Sequence, residues 1–356
     1  MLFSKKPEAV AVDIGSHSIK LVQLKRSAKG YQLKHFGIIP LPPDVFSEGE
    51  VADSEAIVSA LKNLLENEKL KTKNAVTAIS GHSVIVKKIS VPAMGEDELA
   101  ESIRFEAEQY IPFDIADVNI DFQLLSSPDE TEEAAAQQME ILLVAARREK
   151  IQTFTEIIAQ AGLKAITVDV DAFAVENQYE LNYSTPPDET VALVNIGAGM
   201  MNINVVKNQM TAFTRDVSIG GRQVTETIAR GLQVDLQTAE ALKLGHEVEE
   251  HGAAEVTPLI HGVVDKLCME IQRSFDFFRS TASGEKISRI FLSGGCACIQ
   301  GIDRYMSDTF GIPVEIADPF RQIQVSDSDF DPEYIRQMAP VAAIAVGLAL
   351  RGVGEG

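Results

Sequence analysis

The sequence predicts an α/β protein whose two halves are alike and face each other across a cleft. The first observation is an internal repeat, in which residues 9–22, AVAVDIGSHSIKLV, can be placed over residues 191–204, VALVNIGAGMMNIN. Each copy is an apolar run, an acid or amide, a glycine-containing turn and a second run, which is typical of a β-hairpin. The second observation is a polar, proline-containing linker at residues 184–188 between the copies. Two domains also agree with a length of 356 residues.

The first half is predicted to alternate strands with helices. Ala9–Ile14 and Ile19–Lys25 form the first hairpin, and Tyr31–Ile39 adds a third strand. Asp53–Leu65 is predicted as a helix because its apolar residues recur on one face, with Asp53 as the N-cap. The further strands predicted here are Ala75–Ser80, Val84–Ile89 and, before a helix at Asp171–Tyr183, Ala165–Val170.

Residues 91–160 have a different pattern and are predicted as a small α/β unit inserted in the first half. A helix follows Gly95, ends at Pro112, and has one apolar face made of Leu99, Ile103, Ala107 and Tyr110. Val118–Leu125 and Glu140–Ala146 are predicted to pair, with the acidic segment 129–133 as a solvated hairpin tip. A second helix is predicted to pack through Ile151, Phe154, Ile157, Ile158 and Ala161.

The second half is predicted to begin with three strands and to continue with helices. The strands are Val191–Ile196, Met201–Lys207 and Met210–Val217, and a late strand is Ile290–Ser293. The polar residues 245–255 interrupt the helical part. The apolar run Ala339–Leu350 is shorter than the roughly 20 residues that a membrane-spanning helix needs, so it is predicted as a buried helix.

Composition excludes several classes of protein. The formal net charge of −20 disfavours binding to a phosphate backbone, so no nucleic-acid partner is expected. The three cysteines, Cys268, Cys296 and Cys298, cannot build a disulfide scaffold and are typical of a reducing cytosol. No apolar core follows Met1, so neither a signal peptide nor insertion into a membrane is expected.

The two hairpins carry residues expected of an anion-binding site. Glycine leaves the mouth of the cleft free of side chains, so backbone N–H groups can hold an anion. Hydroxyl groups and a lysine add donors, and a strand-end carboxylate can hold Mg²⁺ through water. The residues that fit this chemistry are Asp13, Gly15, Ser16, Ser18, Lys20, Asn195, Gly197 and Gly199. The chain has no P-loop motif and no complete GxGxxG motif. Two such hairpins would grip a polyphosphate from both sides, and a pair of ordinary hairpin turns is the alternative interpretation, which the duplication makes less favoured.

A third glycine turn, Gly294-Gly295, follows the late strand and would let a flat adenine lie close to bare backbone. Upstream, Glu270, Arg273 and Ser274 share one helical face. Glu270 can accept hydrogen bonds from ribose hydroxyls, and Arg273 can stack on a base. An ordinary i,i+3 ion pair between Glu270 and Arg273 is the alternative interpretation.

Together these motifs resemble those of the actin/Hsp70/sugar-kinase superfamily of nucleotide-binding proteins. Asp13–Lys20 resembles its first phosphate motif, Asn195–Gly199 the second, and Leu292–Gly295 the adenosine motif, while Asp169–Ala174 and Ala342–Leu348 fall where its connecting helices lie. The segments VDIGSHSIKLVQL, ISVPAMGEDELAESIRFEAEQYIPF, TRDVSIGGRQVTETIA and EIQRSFDFFRST are similar to the PilM family of type IV pilus assembly proteins over essentially the whole chain. The second of these segments resembles a subdomain shared with the division protein FtsA.

The resemblance implies an actin-like ATPase fold with duplicated ribonuclease-H-like domains and small inserted subdomains. Its implied boundaries are a first half at 1–187, with core 1–90 and 161–187 around the insertion 91–160. They continue with a second half at 188–338, a helical insertion at about 232–286, and a C-terminal helix at 339–356 that returns to the first half.

The resemblance also implies ATP and Mg²⁺ as ligands, with the metal held through water by Asp13 and Asn195. It adds to the nucleotide site the remaining motif residues His17, Ala198, Met200, Asn202, Gly221 and Cys296. Asp171 falls where the superfamily often places an acid or amide near the attacking water. One departure is Asn195, since the superfamily usually has Asp there, and an amide brings no charge to a metal. At most weak ATPase activity is therefore expected.

The implied role is a cytoplasmic scaffold, peripheral to the bacterial inner membrane, that binds the cytoplasmic N-terminal tail of PilN. The expected groove lies between the first-half core and residues 91–160, with the strand Val84–Ile89 as an edge that an extended tail could pair with. Links to the pilus motor and to alignment-complex proteins are also implied, and homo-oligomers are compatible with the family.

Three alternatives remain open from the sequence. The first is an ATPase or kinase of the same superfamily with ordinary turnover, although no substrate-binding loop is evident. The second is a membrane-tethered filament protein similar to FtsA, although the C-terminal residues 350–356 do not predict a basic amphipathic helix. The third is a secretion-system relative of the GspL type that has lost nucleotide binding, although the glycines of all three turns are present.

Overall fold

The structure is a computed structural model that describes residues 8–125, 138–184, 186, 189–246, 248, 251–281 and 284–353. Its strands are β1 (Ala9–Ile14), β2 (Ser18–Ser27), β3 (Gly30–Pro40), β4 (Phe46–Ser47), β5 (Glu50–Val51), β6 (Asn74–Ile79), β7 (Val84–Pro92), β8 (Val118–Leu124), β9 (Gln138–Arg147), β10 (Lys164–Val170), β11 (Thr190–Ile196), β12 (Met201–Lys207), β13 (Met210–Val217), β14 (Arg289–Ser293), β15 (Val314–Ile316) and β16 (Ile323–Gln324). Its helices are α1 (Ser54–Asn67), α2 (Glu96–Ala107), α3 (Arg148–Gln160), α4 (Asp171–Asn182), α5 (Gly221–Leu232), α6 (Leu236–Lys243), α7 (Ala253–Thr281), α8 (Ile302–Phe310), α9 (Pro332–Met338) and α10 (Ala343–Gly352).

The two halves have the same sheet topology, which confirms the predicted duplication. The first sheet has the order β10-β6-β1-β2-β3-β16, and the second has the order β13-β12-β11-β14-β15. In each, the first three strands of the half are antiparallel neighbours and the later strands join in parallel. Antiparallel neighbours need only tight turns, whereas parallel strands need crossover connections, so the chain order alone produces this arrangement. The predicted actin-like α/β class is confirmed.

The inserted unit is a three-stranded antiparallel sheet in the order β7-β9-β8, covered by α2. Its apolar residues form a cluster of their own, and the helix face predicted at Leu99, Ile103 and Ala107 is buried in it. The predicted hairpin tip at 129–133 lies outside the described residues.

Helix α3 does not belong to this unit by its packing, although it was predicted to. Phe154, Ile157 and Ile158 are buried in the first-half core against α1 and the first sheet. A sequence pattern shows which face of a helix is apolar, but it does not show which sheet covers that face.

Two helices join the halves. The backbones of α4 and α10 touch where they cross, since a Cβ built on Gly347 would lie 1.7 Å from the carbonyl oxygen of Ala174. Small residues make this contact possible, and nearly all of α10 is buried, as predicted for the apolar run.

The chain returns to the first half earlier than predicted. Ile323 of β16 pairs with Tyr31 of β3, and Ile335 of α9 is buried in the cluster shared by both halves. The return therefore begins before residue 339, because a two-residue strand carries no signal that sequence periodicity can detect. No helix in the described part of the chain combines the length and the apolar character needed to span a bilayer.

Candidate functional site

The first hairpin joins β1 to β2 and places an acid opposite a lysine. Asp13 and Lys20 are cross-strand partners, and their side chains form an ion pair at 3.3 Å. Asp13 is only 6% exposed, so the pair is shielded from solvent. Gly15 lies beside this pair, and a Cβ there would come within 2.8 Å of the Lys20 Nζ, so a larger residue would shift the lysine side chain. The hairpin therefore presents a buried carboxylate and a cation at the end of the sheet.

The second hairpin joins β11 to β12 and places an amide at each corresponding position. Asn195 lies opposite Asn202, as Asp13 lies opposite Lys20. Asn195 Nδ2 donates to Asn202 Oδ1 at 3.2 Å, and Ser293 Oγ donates to Asn195 Oδ1 at 3.1 Å. Asn202 Nδ2 in turn donates to a carboxylate oxygen of Asp216, on β13, at 2.8 Å. A row of hydrogen bonds therefore runs from β14 to β13 across the sheet end.

The tips of the two hairpins meet. A Cβ on Gly199 would lie 3.1 Å from Ser16 Oγ, and Arg222 Nη2 donates to the carbonyl of Ser16 at 3.2 Å. Within the described residues, the backbone amides of Ser16, His17, Ala198 and Gly199 donate to no protein acceptor. Both tips thus offer free N–H groups toward the same place, which is the geometry of an anion site.

Asp171, at the start of α4, faces two other carboxylates. Burial and then the charge of Asp13 raise the pKa of Asp171 to about 7, the charge of Asp216 acts in the same direction, and a hydrogen bond from Ser80 opposes them. Like charges in a poorly solvated site favour the protonated form. Among the described residues, no group of three or more His, Cys, Asp or Glu side chains is arranged to hold a metal directly.

The glycine turn after β14 packs against the second hairpin. Gly294 has a φ of +87°, and a Cβ there would lie 2.4 Å from the carbonyl oxygen of Ile196. By contrast, a Cβ on Gly295 would meet nothing within 4 Å, so that residue faces open space. Cys296 lies beside Gly221, whose Cβ position is 2.8 Å from its Sγ. The predicted residues Gly221, Gly294, Gly295 and Cys296 are therefore brought together.

The helical trio predicted to hold the nucleoside contacts strand β13. Glu270 forms the i,i+3 ion pair with Arg273 and a second pair with Arg215 at 3.6 Å, and Ser274 accepts from Arg215. Since Arg215 and Asp216 are neighbours on a strand, their side chains lie on opposite faces of the sheet. The ion pair of the alternative interpretation is therefore present, and nucleoside binding by Glu270, Arg273 and Ser274 stays a prediction.

Two residues that sequence reasoning missed lie beside this turn. Lys243 of α6 is buried, and its Nζ contacts Glu240 at 2.6 Å, Thr225 Oγ1 at 3.2 Å, and the Cβ position of Gly221 at 3.6 Å. Partial burial lowers the pKa of His17, and the charges of Glu240 and Lys243 act on that imidazole in opposite directions. Glu240 and Lys243 are three residues apart on a short helix after Gly221. This i,i+3 spacing of opposite charges is visible in the sequence and could have identified them. The third missed residue is Asp216, which stands in the segment TRDVSIGG.

Comparison with known proteins gives a family. The model of the family described as type IV pilus assembly protein PilM matches residues 11–353. A solved chain of a PilM–PilN type IV pilus biogenesis complex is 31% identical, with a TM-score of 0.86, and the match covers 98% of this chain and 100% of that one.

More distant relatives share the fold. The cell division protein FtsA of Bacillus subtilis is 21% identical, and the match covers 87% of this chain and 78% of FtsA. The ethanolamine utilization protein EutJ of Escherichia coli is 26% identical over 40% of this chain, and the match spans 44% of that relative. MreB5 of Spiroplasma citri, solved with ADP, is 12% identical with a TM-score of 0.54, covering 97% of this chain and 95% of that one.

Proposed function

Because the chain belongs to the PilM family of type IV pilus assembly proteins, we propose that it is a cytoplasmic ATP-binding scaffold of the inner-membrane pilus complex that binds the N-terminal tail of PilN. The observation that carries the nucleotide part is the pair of hairpin tips with free amides, flanked by Lys20 and Asp13. The partner part rests on the likeness to a PilM chain solved with PilN.

The residues present fit an ATP molecule with Mg²⁺. The free amides of both tips and the Lys20 ammonium suit the phosphates, and the open backbone at Gly295 suits the adenine. Glu240 and Lys243, beside that turn, are better placed for the ribose than Glu270. MreB5, whose fold this chain shares, was solved with ADP. Mg²⁺, when bound, supplies positive charge to the phosphates, and Asp13 and Asp216 offer carboxylates for its water shell.

Hydrolysis is expected to be weak. Asp171 is the residue placed to orient or deprotonate a water, and its raised pKa suits a base near neutral pH. However, Asp13 and Asp216 surround it with negative charge, and Asn195 brings no charge to a metal that would offset it. We propose binding without fast turnover, with the ATPase or kinase alternative decided by measured turnover.

The nucleotide site is tested by calorimetry with Mg-ATP. Asp13→Ala removes a carboxylate that is proposed to hold the water shell of Mg²⁺, so the Kd for Mg-ATP is expected to rise by about tenfold or more. Asp44→Ala is a charge-matched control at an exposed position of the same half. An unchanged Kd in Asp13→Ala, with the control also unchanged, would contradict the assigned site.

The groove proposed for the tail lies between the outer edges of β8 and β10, both of which end their sheets. Arg351 bonds to Asp169 of β10 at 2.7 Å, and this bond, aided by the charge of Asp121 on β8, raises the pKa of Arg351. We place the peptide between these two edges because Arg351 interacts with an acid on each of the two strands. The edge of β7, which the sequence favoured, lies beside β13 of the second half instead.

A labelled PilN tail peptide tests this groove by fluorescence anisotropy. Deleting residues 91–160 is unsuitable, because α3 fills the first-half core. Ile166, which is 41% exposed on β10, is instead changed to Glu, and the peptide Kd is expected to rise by about tenfold through lost apolar contact. Met210→Glu, at a residue 42% exposed on the second half, is the control. Equal affinities for both variants would contradict this groove.

A further inference from the structure

The loop between β6 and β7, residues Ser80–Ser83, receives contacts from the candidate nucleotide site on one side and begins the inserted sheet on the other. Asp216 accepts from the backbone amide of Gly81 at 2.5 Å, and His82 Nε2 lies 3.0 Å from Ser218 Oγ. Ser80 hydrogen-bonds Asp171. Each of these bonds joins the loop to a cleft residue or to the strand that ends at the cleft.

The tip of the second hairpin also packs on this loop. Met200 Cε lies 3.3 Å from the Cβ position of Gly81, whose φ of +93° is open to glycine alone without strain. Any residue larger than glycine would displace Met200 or distort the loop. The hairpin that is proposed to hold phosphate is therefore in van der Waals contact with the β6–β7 loop.

The other end of the loop is part of the inserted sheet. The amide of Val84, the first residue of β7, donates to the carbonyl of Gly81 at 3.0 Å. The amide of Arg147, the last residue of β9, donates to the carbonyl of Ser83 at 2.9 Å. A displacement of the loop must therefore change the ends of two of the three strands in this sheet.

We propose that the β6–β7 loop is a switch through which ligand binding in the cleft loosens the inserted sheet; this regulatory role rests on the proposed function. The tips of the two hairpins touch at Ser16 and Gly199, so a phosphate can enter between them only if they separate. That separation carries Met200 away from Gly81. A cation near Asp216 also competes with the Gly81 amide for the same carboxylate. Both effects weaken the attachment of the loop to the second half.

The proposal implies reciprocal coupling. If Mg-ATP loosens the inserted sheet, a partner that binds and orders this sheet must bind more weakly when Mg-ATP is present. The partner must in turn lower the affinity for Mg-ATP by the same factor. Asp216 is the positioning residue of this coupling, because it links the hydrogen-bonded row of the second sheet to the Gly81 amide.

Amide hydrogen exchange in the full chain tests the switch. With saturating Mg-ATP, exchange at Gly81 and along the first residues of β7 is expected to become about tenfold faster, the change that loss of one hydrogen bond to a charged group produces. Strands β1 and β11, at the centres of their sheets, serve as internal references and should not exchange faster.

A second arm needs no nucleotide. Asp216→Ala in the free chain should accelerate exchange at Gly81 and β7 in the same way, whereas Thr214→Ala, on the same strand and face, should not. Ser218→Ala, which removes only the outer contact to His82, should give a smaller increase. If calorimetry shows no ATP binding, this result counts against the proposed function. The exchange measurement on Asp216→Ala then tests the switch by itself. The switch is refuted if that variant exchanges like Thr214→Ala, or if bound nucleotide leaves Gly81 and β7 unchanged or slower.

Discussion

At the scale of single residues, the charge missing at Asn195 is found at Asp216. Asn195 donates to Asn202, which donates to Asp216, so an amide at 195 allows a carboxylate at 216 to be held without a second negative charge beside it. Asp at 195 would face Asn202 Oδ1, and turning that amide over would set its oxygen against Asp216. The departure from the superfamily is thus a relocation of charge within one hydrogen-bonded row.

This arrangement predicts the effect of Asn195→Asp. In the absence of metal the variant should be less stable, because a fourth carboxylate joins Asp13, Asp171 and Asp216 in a poorly solvated site. Its affinity for ATP should depend more steeply on the Mg²⁺ concentration. A gain in ATPase activity would appear as a higher turnover rate. Calorimetry at several Mg²⁺ concentrations measures this, and Asn195→Ser, which adds no charge, is the control. A Mg²⁺ dependence equal to that of the parent chain would show that residue 195 does not act on the metal.

Glu176 gives a pH-dependent prediction. Its carboxylate is buried on α4, where it accepts from Thr211 and from Asn204, and burial raises its pKa to about 7 despite these bonds. The folded state therefore binds a proton more tightly than the unfolded state, and stability from this group falls as pH rises from about 4.5 toward and above 7. Glu176→Gln keeps an acceptor and removes the titration.

The expected result is that Glu176→Gln raises the melting temperature at pH 8 and changes it little at pH 5. Scanning calorimetry at both values measures this. Glu180→Gln, one turn further on α4 at an exposed position, is the matched control and should show a smaller difference. A variant that is destabilised equally at both pH values would mean that Glu176 is held charged in the folded chain.

At the scale of elements, sequence predicts best what local pattern determines. The β1–β2 and β11–β12 hairpins, the N-cap of α1 at Asp53 and the buried face of α2 were all predicted, since each depends on neighbours a few residues away. Three features were not predicted: the sheet on which α3 packs, the two-residue strand β16 and the position of Asp216. Each of them depends on a contact between distant parts of the chain. The ion pair between Glu270 and Arg215 of β13 was not predicted for the same reason.

The crossing of α4 and α10 gives a prediction about an element. Gly347→Ala places a methyl group 1.7 Å from the carbonyl oxygen of Ala174, so the helices must move apart, at a cost of roughly 1–3 kcal/mol or more. Gly262→Ala is the matched control, because that exposed glycine lies within α7 with nothing within 4 Å of its Cβ position. The control should gain roughly 0.5–1 kcal/mol from helix propensity. Chemical denaturation of both variants measures this, and a stability loss in Gly262→Ala or none in Gly347→Ala would contradict the packing.

At the scale of the whole molecule, each half has an apolar cluster of its own, a further cluster is shared by both halves, and the inserted sheet has a separate one. The shared cluster combines strands of both sheets with α4 and α10, and Ala11, Val191 and Phe291 all contribute to it. The inserted cluster contains only residues of β7, α2, β8, β9 and the segments between them. The halves are therefore expected to unfold together, whereas the inserted sheet can loosen by itself, as a switch at the β6–β7 loop requires.

Phe291 gives the test of this shared core. Its ring, 5% exposed at the junction of the halves, lies 4.8 Å from that of Tyr179 and 4.7 Å from that of Tyr183, and the Tyr183 hydroxyl accepts from the Asp318 amide at 2.8 Å. Phe291→Ala should cost roughly 3–5 kcal/mol and lower a single main transition in scanning calorimetry, with amides of β1 and β11 losing protection together. Phe105→Ala, at a ring 77% exposed on α2, is the control and should leave that transition in place. If Phe291→Ala instead splits the transition, so that β11 loses protection while β1 keeps it, the shared cluster does not couple the halves, and α4 and α10 are only connectors.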